Sequence, residues 1–552
     1  MSLHPQHPVP PVPKHTARIA RAAFPKGSPY LGLRDHLGPI FSDPDFSDLY
    51  PECGQPAYPP WRLALVTLIQ FRESLSDRQA AEAVRARIDW KYLLGLELTD
   101  PGFDHSVLCE FRARLLAGSA EERLLERVLE ACRDLGLLKA RGRQRTDATH
   151  VLAAVRALNR LELVAETLRA ALNALAVAAP DWLRALAPAE WYERYSRRIE
   201  DTRLPQSEAK REAYARQVGE DGFCLLDALE GPGAPHELTA LPAIQTLRRV
   251  WARHFARGTD EDDGSGAQLR PIRGRGKEER IESPYDVEAR FRTKGGMSWT
   301  GYMVHLTETC DADAPRLMVH VETTPANVHE AQCTGAIHDA LAAKGLAPSV
   351  HLVDAGYMSA EQLVGARERH GIDLVGPLRK DVSWQRRTEG AFGIEAFAVD
   401  WEHKRVRCPE GKQSISWSEY RDKARGRRLK VYFSPSDCQV CRSKALCTRT
   451  GTQGRQLSLH ARETHEALAA ARTRQVSEED RPLYALRAGI EGTLSQGMSS
   501  FGLRQARYRG LAKTHLQHVA SAVALNLDRL AAWFEGRPLA ATRKSRFAAL
   551  AA

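Results

Sequence analysis

The sequence predicts an α/β fold, a mixed β-sheet covered by helices and interrupted by two large inserts. Three observations carry this expectation. Short β-branched runs alternate with stretches of helical apolar spacing, turn clusters separate them, and a long helical stretch and a Cys-bearing basic stretch break the alternation. At 552 residues the chain exceeds one compact domain, since domains hold roughly 100–150 residues. Its 43% hydrophobic and 27% charged residues exclude global disorder and a collagen-like repeat. No run of about 18 apolar residues exists, so no membrane span is expected. The opening MSLHPQHPVPPVPKH puts Pro and His where a signal peptide needs an apolar stretch. A cytoplasmic protein is therefore expected.

Taken in order, residues 1–30 read as a Pro-rich disordered tail. Pro59 and Pro60 precede LALVTLIQF and suit a first helical turn. Ser76 or Asp77 can cap a second helix, and Asp104 a third that carries Arg112 and Arg114. Three short helices with Arg on the last resemble a helix-turn-helix unit. QRTDATHV (144–151) reads as a strand, and about 158–256 as an α-helical insertion followed by the linker TDEDDGSGAQ (259–268). GYMVHLTET (301–309) and RLMVHVETT (316–324) read as strands joined by a turn. Val328 to Lys344 reads as a helix stopped by Gly345, and SVHLVDAGY (349–357) as a buried strand ending in Asp354. Ser359 and Gln362 form a capping box for a helix closed by Gly371, and IDLVGPL is a further strand. A helical region from about Leu457 to Phe534 ends the pattern.

Charge is localised. The net +10 comes from 79 basic and 69 acidic residues, but 401–450 alone holds thirteen Lys or Arg against five acids, and 501–552 nine against two. Two basic windows in an otherwise slightly acidic chain point to a polyanion partner, most often nucleic acid. Six of the ten cysteines are scattered and read as small buried hydrophobes of a reducing compartment. Cys408, Cys438, Cys441 and Cys447 cluster instead. Cys438 and Cys441 give C-x2-C, Pro-Glu-Gly after Cys408 gives a tight turn, and four thiolates are the ligand set of a closed structural Zn²⁺ site. Free thiols are the alternative.

Three carboxylates stand out: Asp147 in the first strand, Asp354 at the C-terminal end of a central strand, and Glu491 inside the late helical region. Carboxylates meeting at strand ends can hold Mg²⁺, with Mn²⁺ able to replace it, and paired ions serve phosphoryl displacement. Taken singly, each is a turn Asp or a solvated Glu. Tyr484, Arg487 and Glu491 fall at i, i+3 and i+7, on one face of a helix where phosphates can approach. Arg504, Arg507, Arg509 and Lys513 follow. Asp286, Arg290 and Lys294 precede the hairpin and read as a border to DNA. No Gly-rich phosphate loop is present, so no ATP dependence is expected.

These motifs resemble a bacterial insertion-sequence transposase of the DDE class with a ribonuclease-H-like core. RTDATHV around Asp147, HLVDAGY around Asp354, and YALRAGIEGTLSQG with GLRQARYRGLAKTHLQHVASAVALNL around and after Glu491 carry the resemblance. The N-terminal YPPWRLALVTLIQFRESLSDRQ…FDHSVLCEFRARL is similar to the helical domain that precedes the core in one such family. The likeness runs from about Phe41 to Leu530. It implies binding of terminal inverted repeats, attack by water at the element's ends, and attack of the freed 3′-hydroxyl on target DNA. It implies metal-ligand roles for Asp147, Asp354 and Glu491, and a homodimer for synapsis of two ends. Tyr484, Arg487 and Glu491 match a Tyr-Arg-Glu-Lys signature in which Met498 stands for Lys, with Arg504 or Lys513 as its replacement. The implied organisation is a helical DNA-binding domain over 31–140 and an RNase H-like core from 141–157, 284–390 and 455–534. A helical insertion and linker (158–283), a basic four-cysteine zinc insertion (391–454) and a basic tail (535–552) complete it. A transposase-derived regulator without catalysis, and a Mg²⁺-dependent nuclease without strand transfer, are the alternatives.

Overall fold

The computed structural model describes residues 2–5, 8–258, 266–271, 280–379, 382–422, 426–537, 546–547 and 550. Most of the expected linker (259–268) and of the expected basic tail (535–552) lies outside the described residues. The centre is a six-stranded mixed sheet built from β1 (Arg143–Leu152), β2 (Arg290–Lys294), β3 (Met297–Thr309), β4 (Met318–Pro325), β5 (Val350–Leu352) and β6 (Asp373–Val375). β3 runs antiparallel to β1, β2 and β4. On the other side of β1, β5 and then β6 run parallel to it. β3 is long enough to turn from one set of partners to another, pairing β2 through its first residues and β1 and β4 through the rest. The switch falls at Gly301, where φ is +153° and an added Cβ would meet the Val151 carbonyl oxygen at 2.1 Å. Only glycine fits there.

Helices cover the sheet where the apolar spacing places them. The crossover from β4 to β5 is α4 (Glu330–Ala343), and that from β5 to β6 is α5 (Ala360–His370). The Ser359 hydroxyl accepts from the Gln362 N–H, but the Gln362 amide bonds the Ala331 carbonyl instead of closing the box. Gly371 ends α5 in the left-handed conformation, as expected. The last helix, α7 (Leu511–Phe534), is buried on nearly all sides from Thr514 to Leu527. The Asn526 side chain pairs both backbone groups of Met318, at 2.7 and 2.9 Å, which fixes α7 along β4.

The N-terminal helices α1 (Pro60–Arg72), α2 (Asp77–Ala86) and α3 (Ser106–Ala117) share one apolar core with the sheet and α7. Ser76 and Gln79 form the full capping box of α2. The expected disordered tail instead carries a helix over Lys14–Ala23, whose Ala20 is buried with Leu31 and Tyr92. Apolar positions spaced for one helical face outweigh the Pro content there. The helical insertion has its own core around Leu168, Val218 and Trp251. It is not all-α: after the helix Pro242–His254, Phe255–Arg257 pairs with Ala267–Leu269 as a small ribbon that buries Phe255 against Trp251. The Cys-bearing segment also has its own core, with Val431 and Leu457 inside a three-stranded antiparallel sheet. Leu457 is thus a strand residue, and the late helices begin at Arg462. Among the described residues no helix is long and apolar enough to cross a membrane.

Candidate active site

The two aspartates are brought level by strand register. Arg145 on β1 is opposite Leu352 on the parallel β5. Two residues further along stand Asp147, still on β1, and Asp354, just past the end of β5, and neighbouring strands lie about 4.8 Å apart. Asp354 follows the end of β5, and its Oδ1 accepts from the Gly356 N–H at 2.8 Å. Glu491 reaches the same place from α6 (Gly489–Phe501), with its side chain 64% exposed. Arg487 joins the groups: one nitrogen donates to Asp147 Oδ2 at 2.7 Å and another to Glu491 Oε1 at 3.0 Å. Tyr484, Arg487 and Glu491 do not lie on one regular helix. Tyr484 ends a short helix, Arg487 sits in a 3₁₀ turn, and Glu491 opens α6. The tighter winding brings the guanidinium over β1.

The electrostatics reflect convergence. Burial raises the Asp147 carboxyl above its ordinary range, Arg487 and the Ala148 N–H oppose that, and Asp354 and Glu491 push it further up. Burial works against the Arg487 charge, yet Asp147, Tyr484, Asp354 and Glu491 hold its proton more firmly than usual. The Tyr484 hydroxyl is raised by burial and by the same three carboxylates, against Arg487. Among the described residues no three His, Cys, Asp or Glu side chains are disposed to hold a metal ion. The cation that the carboxylates share is Arg487.

Beneath the site lies a charge network that the sequence reading missed. Glu308 on β3 is fully buried, and Arg145 across from it is 2% exposed. Arg145 Nε donates to Glu308 Oε1 at 2.7 Å, while Thr493 on α6 and Arg529 on α7 donate to Oε2 at 2.7 and 2.6 Å. Arg145 also donates to the Leu486 carbonyl, in the turn that holds Arg487. An added Cβ on Gly489 would collide with that guanidinium at 2.1 Å. No local pattern marks this Glu, because its two Arg partners lie 163 and 221 positions away. A second missed group is Glu330 at the start of α4. It pairs with Arg292 at 3.0 Å and Lys294 at 2.7 Å. Burial opposes its ionisation, but Lys294, its own backbone N–H and Arg292 bring it down to about 2. Gly356 has both Asp354 and Glu330 as neighbours, which places this pair of ion bridges beside the Asp354 loop. Asp286 does not border a surface: it is buried and accepts from the Tyr302 hydroxyl at 2.5 Å.

The expected DNA contacts divide. Arg112 is buried and bound to Asp77 through two nitrogens, at 3.0 and 2.5 Å, so it is spent inside the helical unit and corrects the expectation. Arg114 is half-buried, bonded to the Leu49 carbonyl at 3.2 Å and lying over Tyr50. Arg504 donates to Thr149 Oγ1 at 2.9 Å. Thr149 is two residues beyond Asp147, hence on the same face of β1. Met498 packs against the main core. Arg507, Arg509 and Lys513 are exposed, with Arg507 over Phe71 and Arg509 over Tyr285.

Cys408, Cys438, Cys441 and Cys447 line one small cavity of about 30 Å³. The turn after Cys408 is closed by the Gly411 N–H donating to the Cys408 carbonyl at 2.9 Å. Burial raises the Cys447 thiol, Arg455 opposes it, and the other three thiols add to the rise.

Two stability measurements test this geometry. Glu308→Gln leaves two buried guanidinium groups without their counter-charge and is expected to cost about 3–5 kcal/mol in urea unfolding. Asp147→Asn is expected to stabilise the protein at neutral pH. The raised carboxyl makes the ionised native state costly above the unfolded value of about 3.9. The gain should grow as pH rises through that value and the higher native one, and vanish in acid, where both side chains are neutral.

Two family matches bear on identity. The family described as "Transposase DDE domain" matches residues 407–531, which hold the four clustered cysteines, Glu491 and most of α7 but neither Asp147 nor Asp354. The family described as "Transposase domain (DUF772)" matches residues 18–114, which include α1, α2 and most of α3. No curated protein and no solved structure matches the chain. The chain thus carries two segments similar to transposase families, one at 18–114 and one at 407–531.

Proposed function

We propose that the protein binds the terminal inverted repeats of its element, cleaves DNA at the ends, and joins the freed 3′-hydroxyl to target DNA. Asp147, Asp354 and Glu491 are the proposed Mg²⁺-holding carboxylates, with Mn²⁺ able to replace Mg²⁺. The observation that carries the reading is the single guanidinium shared by Asp147 and Glu491, beside the loop that carries Asp354 two residues past the end of β5. The strand order β4-β3-β1-β5-β6, antiparallel on one side of β1 and parallel on the other, supports a ribonuclease-H-like core.

The donor chemistry fits divalent ions. Asp354 and Glu491 add to the cost of charge on Asp147, and the three carboxylates together hold the Arg487 proton. When bound, Mg²⁺ would stabilise charge on the attacking and leaving oxygens of an in-line displacement. Arg487, relieved of the carboxylates, is placed to bind a phosphate through its planar fork. Arg504 takes the place of the signature Lys, since it reaches the Asp147 face of β1 while Met498 faces the core. Glu308 and its partners set the angle at which α6 presents Glu491.

The four cysteines are proposed as a structural Zn²⁺ site. Four thiols around one small cavity are the donor set of a closed tetrahedral centre, which fixes surrounding loops and performs no chemistry. Synapsis of two DNA ends calls for a homodimer.

Asp147→Asn, Asp354→Asn and Glu491→Gln are each expected to abolish Mg²⁺-dependent cleavage of the terminal repeats while retaining binding, read by strand-cleavage and gel-shift assays on one DNA. Cleavage by the triple variant sinks the assignment. Wild-type cleavage without joining of pre-cut ends would make the protein a nuclease. Metal analysis of purified protein is expected to give one zinc per chain, lost in Cys438→Ser. Wild-type protein free of zinc refutes the four-cysteine site.

A further inference from the structure

A second basic surface lies away from the three carboxylates, where the helical insertion leaves β1. A cleft of about 310 Å³ opens there, and Arg156, Arg169, Arg198 and Arg509 line it. The residues come from three parts of the chain: the exit of β1, the insertion, and the loop before α7. A neighbouring cleft of about 510 Å³ shares Arg169, Tyr285 and Arg509, so the two form one trough along the joint.

The charge balance of the first cleft is positive. Its carboxylate, Glu166, is committed: it accepts from Arg169 at 2.7 and 3.0 Å, from the Tyr285 hydroxyl at 2.7 Å, and from the Ile199 N–H at 3.0 Å. Arg156 is paired with Glu162, whose side chain is 4% exposed. Arg198 and Arg509 are exposed, and among the described residues neither has an ion-pair partner. Arg509 lies over the Tyr285 ring at 5.1 Å, which holds a long side chain in place at the junction of the two clefts. Two unpaired guanidinium groups, one of them held over an aromatic ring, beside a satisfied carboxylate suit a phosphodiester oxygen.

We propose that this trough binds backbone phosphates of duplex DNA continuing from the Asp147 site. The inference rests on the DNA reading above and extends it to the insertion. The path is short. Leu152, the end of β1, is five residues beyond Asp147, so the strand covers roughly 17 Å at about 3.3 Å per residue. About five base pairs span the same length at 3.4 Å per step. A trough shared by two clefts is longer than a single phosphate group, which favours a polymer over free phosphate. The contacts address the backbone and carry no base readout.

The test is the salt dependence of binding to a mixed-sequence duplex several turns long, measured by fluorescence anisotropy on the full chain. Arg198→Ala and Arg509→Ala are each expected to lower the slope of log K against log salt by about one and to weaken binding several-fold at low salt. Arg197→Ala, an exposed neighbour outside the cleft, is expected to leave both unchanged. Arg198→Glu should weaken binding further, and millimolar inorganic phosphate should not compete beyond its effect on ionic strength. Unchanged slopes in both alanine variants, with wild-type protein still binding, overturn the trough and leave the transposase reading intact. Specific competition by inorganic phosphate makes the cleft a small-anion site and overturns the DNA path. A wild-type chain that binds no duplex at any salt concentration overturns the DNA reading itself.

Discussion

A carboxylate sealed from water holds the central sheet and its covering helices in register. Glu308 makes ordered bonds to Arg145, Thr493 and Arg529, and so touches the first strand, its antiparallel neighbour, the Glu491 helix and the last helix at one point. Removing such a charge from water costs several kcal/mol, and the cost is met only when every oxygen finds a donor. All four elements must therefore arrive together, in one arrangement. An apolar contact would tolerate sliding, whereas this one selects a single angle between α6 and β1. The bond from Arg145 to the Leu486 carbonyl carries the same constraint into the turn before Arg487.

Above that anchor, the candidate site is electrostatically loaded in the opposite sense. Three carboxylates crowd one guanidinium, and burial raises the Asp147 carboxyl. Such crowding lowers stability and creates affinity for cations. The strain is confined because Arg487 satisfies two of the acids. The fold thus sets a satisfied ionic network below an under-neutralised set of acids, the kind of contrast that accompanies functional sites.

Much of this was legible in the sequence, for reasons that differ by element. β1, β3 and β4 were visible because β-branched runs bounded by turns have few alternative readings, whereas the strand expected to end in Asp354 stops at Leu352 and its register with β1 appears only in the fold. The Cys segment was visible through spacing, though its three-stranded sheet was not, since polar alternation on an exposed sheet gives a weak signal. Arg112 was misread because an Arg on a helix looks solvent-facing until Asp77, thirty-five positions away, is seen to claim it. The tail helix Lys14–Ala23 was hidden by flanking prolines, and its stability comes from Leu31 and Tyr92 rather than from local propensity. Glu308 could not be found from local pattern, because its partners lie up to 221 positions away.

The last helix has a consequence for how the molecule comes into being. The N-terminal helices bury their apolar faces against α7, and the Arg72–Asp528 pair and the stacking of His36 on Phe534 belong to that seam. The N-terminal helices thus complete their packing only against a helix far along the chain, whose Asp528 lies 456 positions after Arg72. While the chain is still emerging from the ribosome, this seam is open and its sheet lacks a cover. Loop-closure entropy over so long a separation makes the closing step slow. A chain cut before α7 would leave that seam bare, prone to clumping and proteolysis, so Leu511–Phe534 decides whether the N-terminal helices are sheltered.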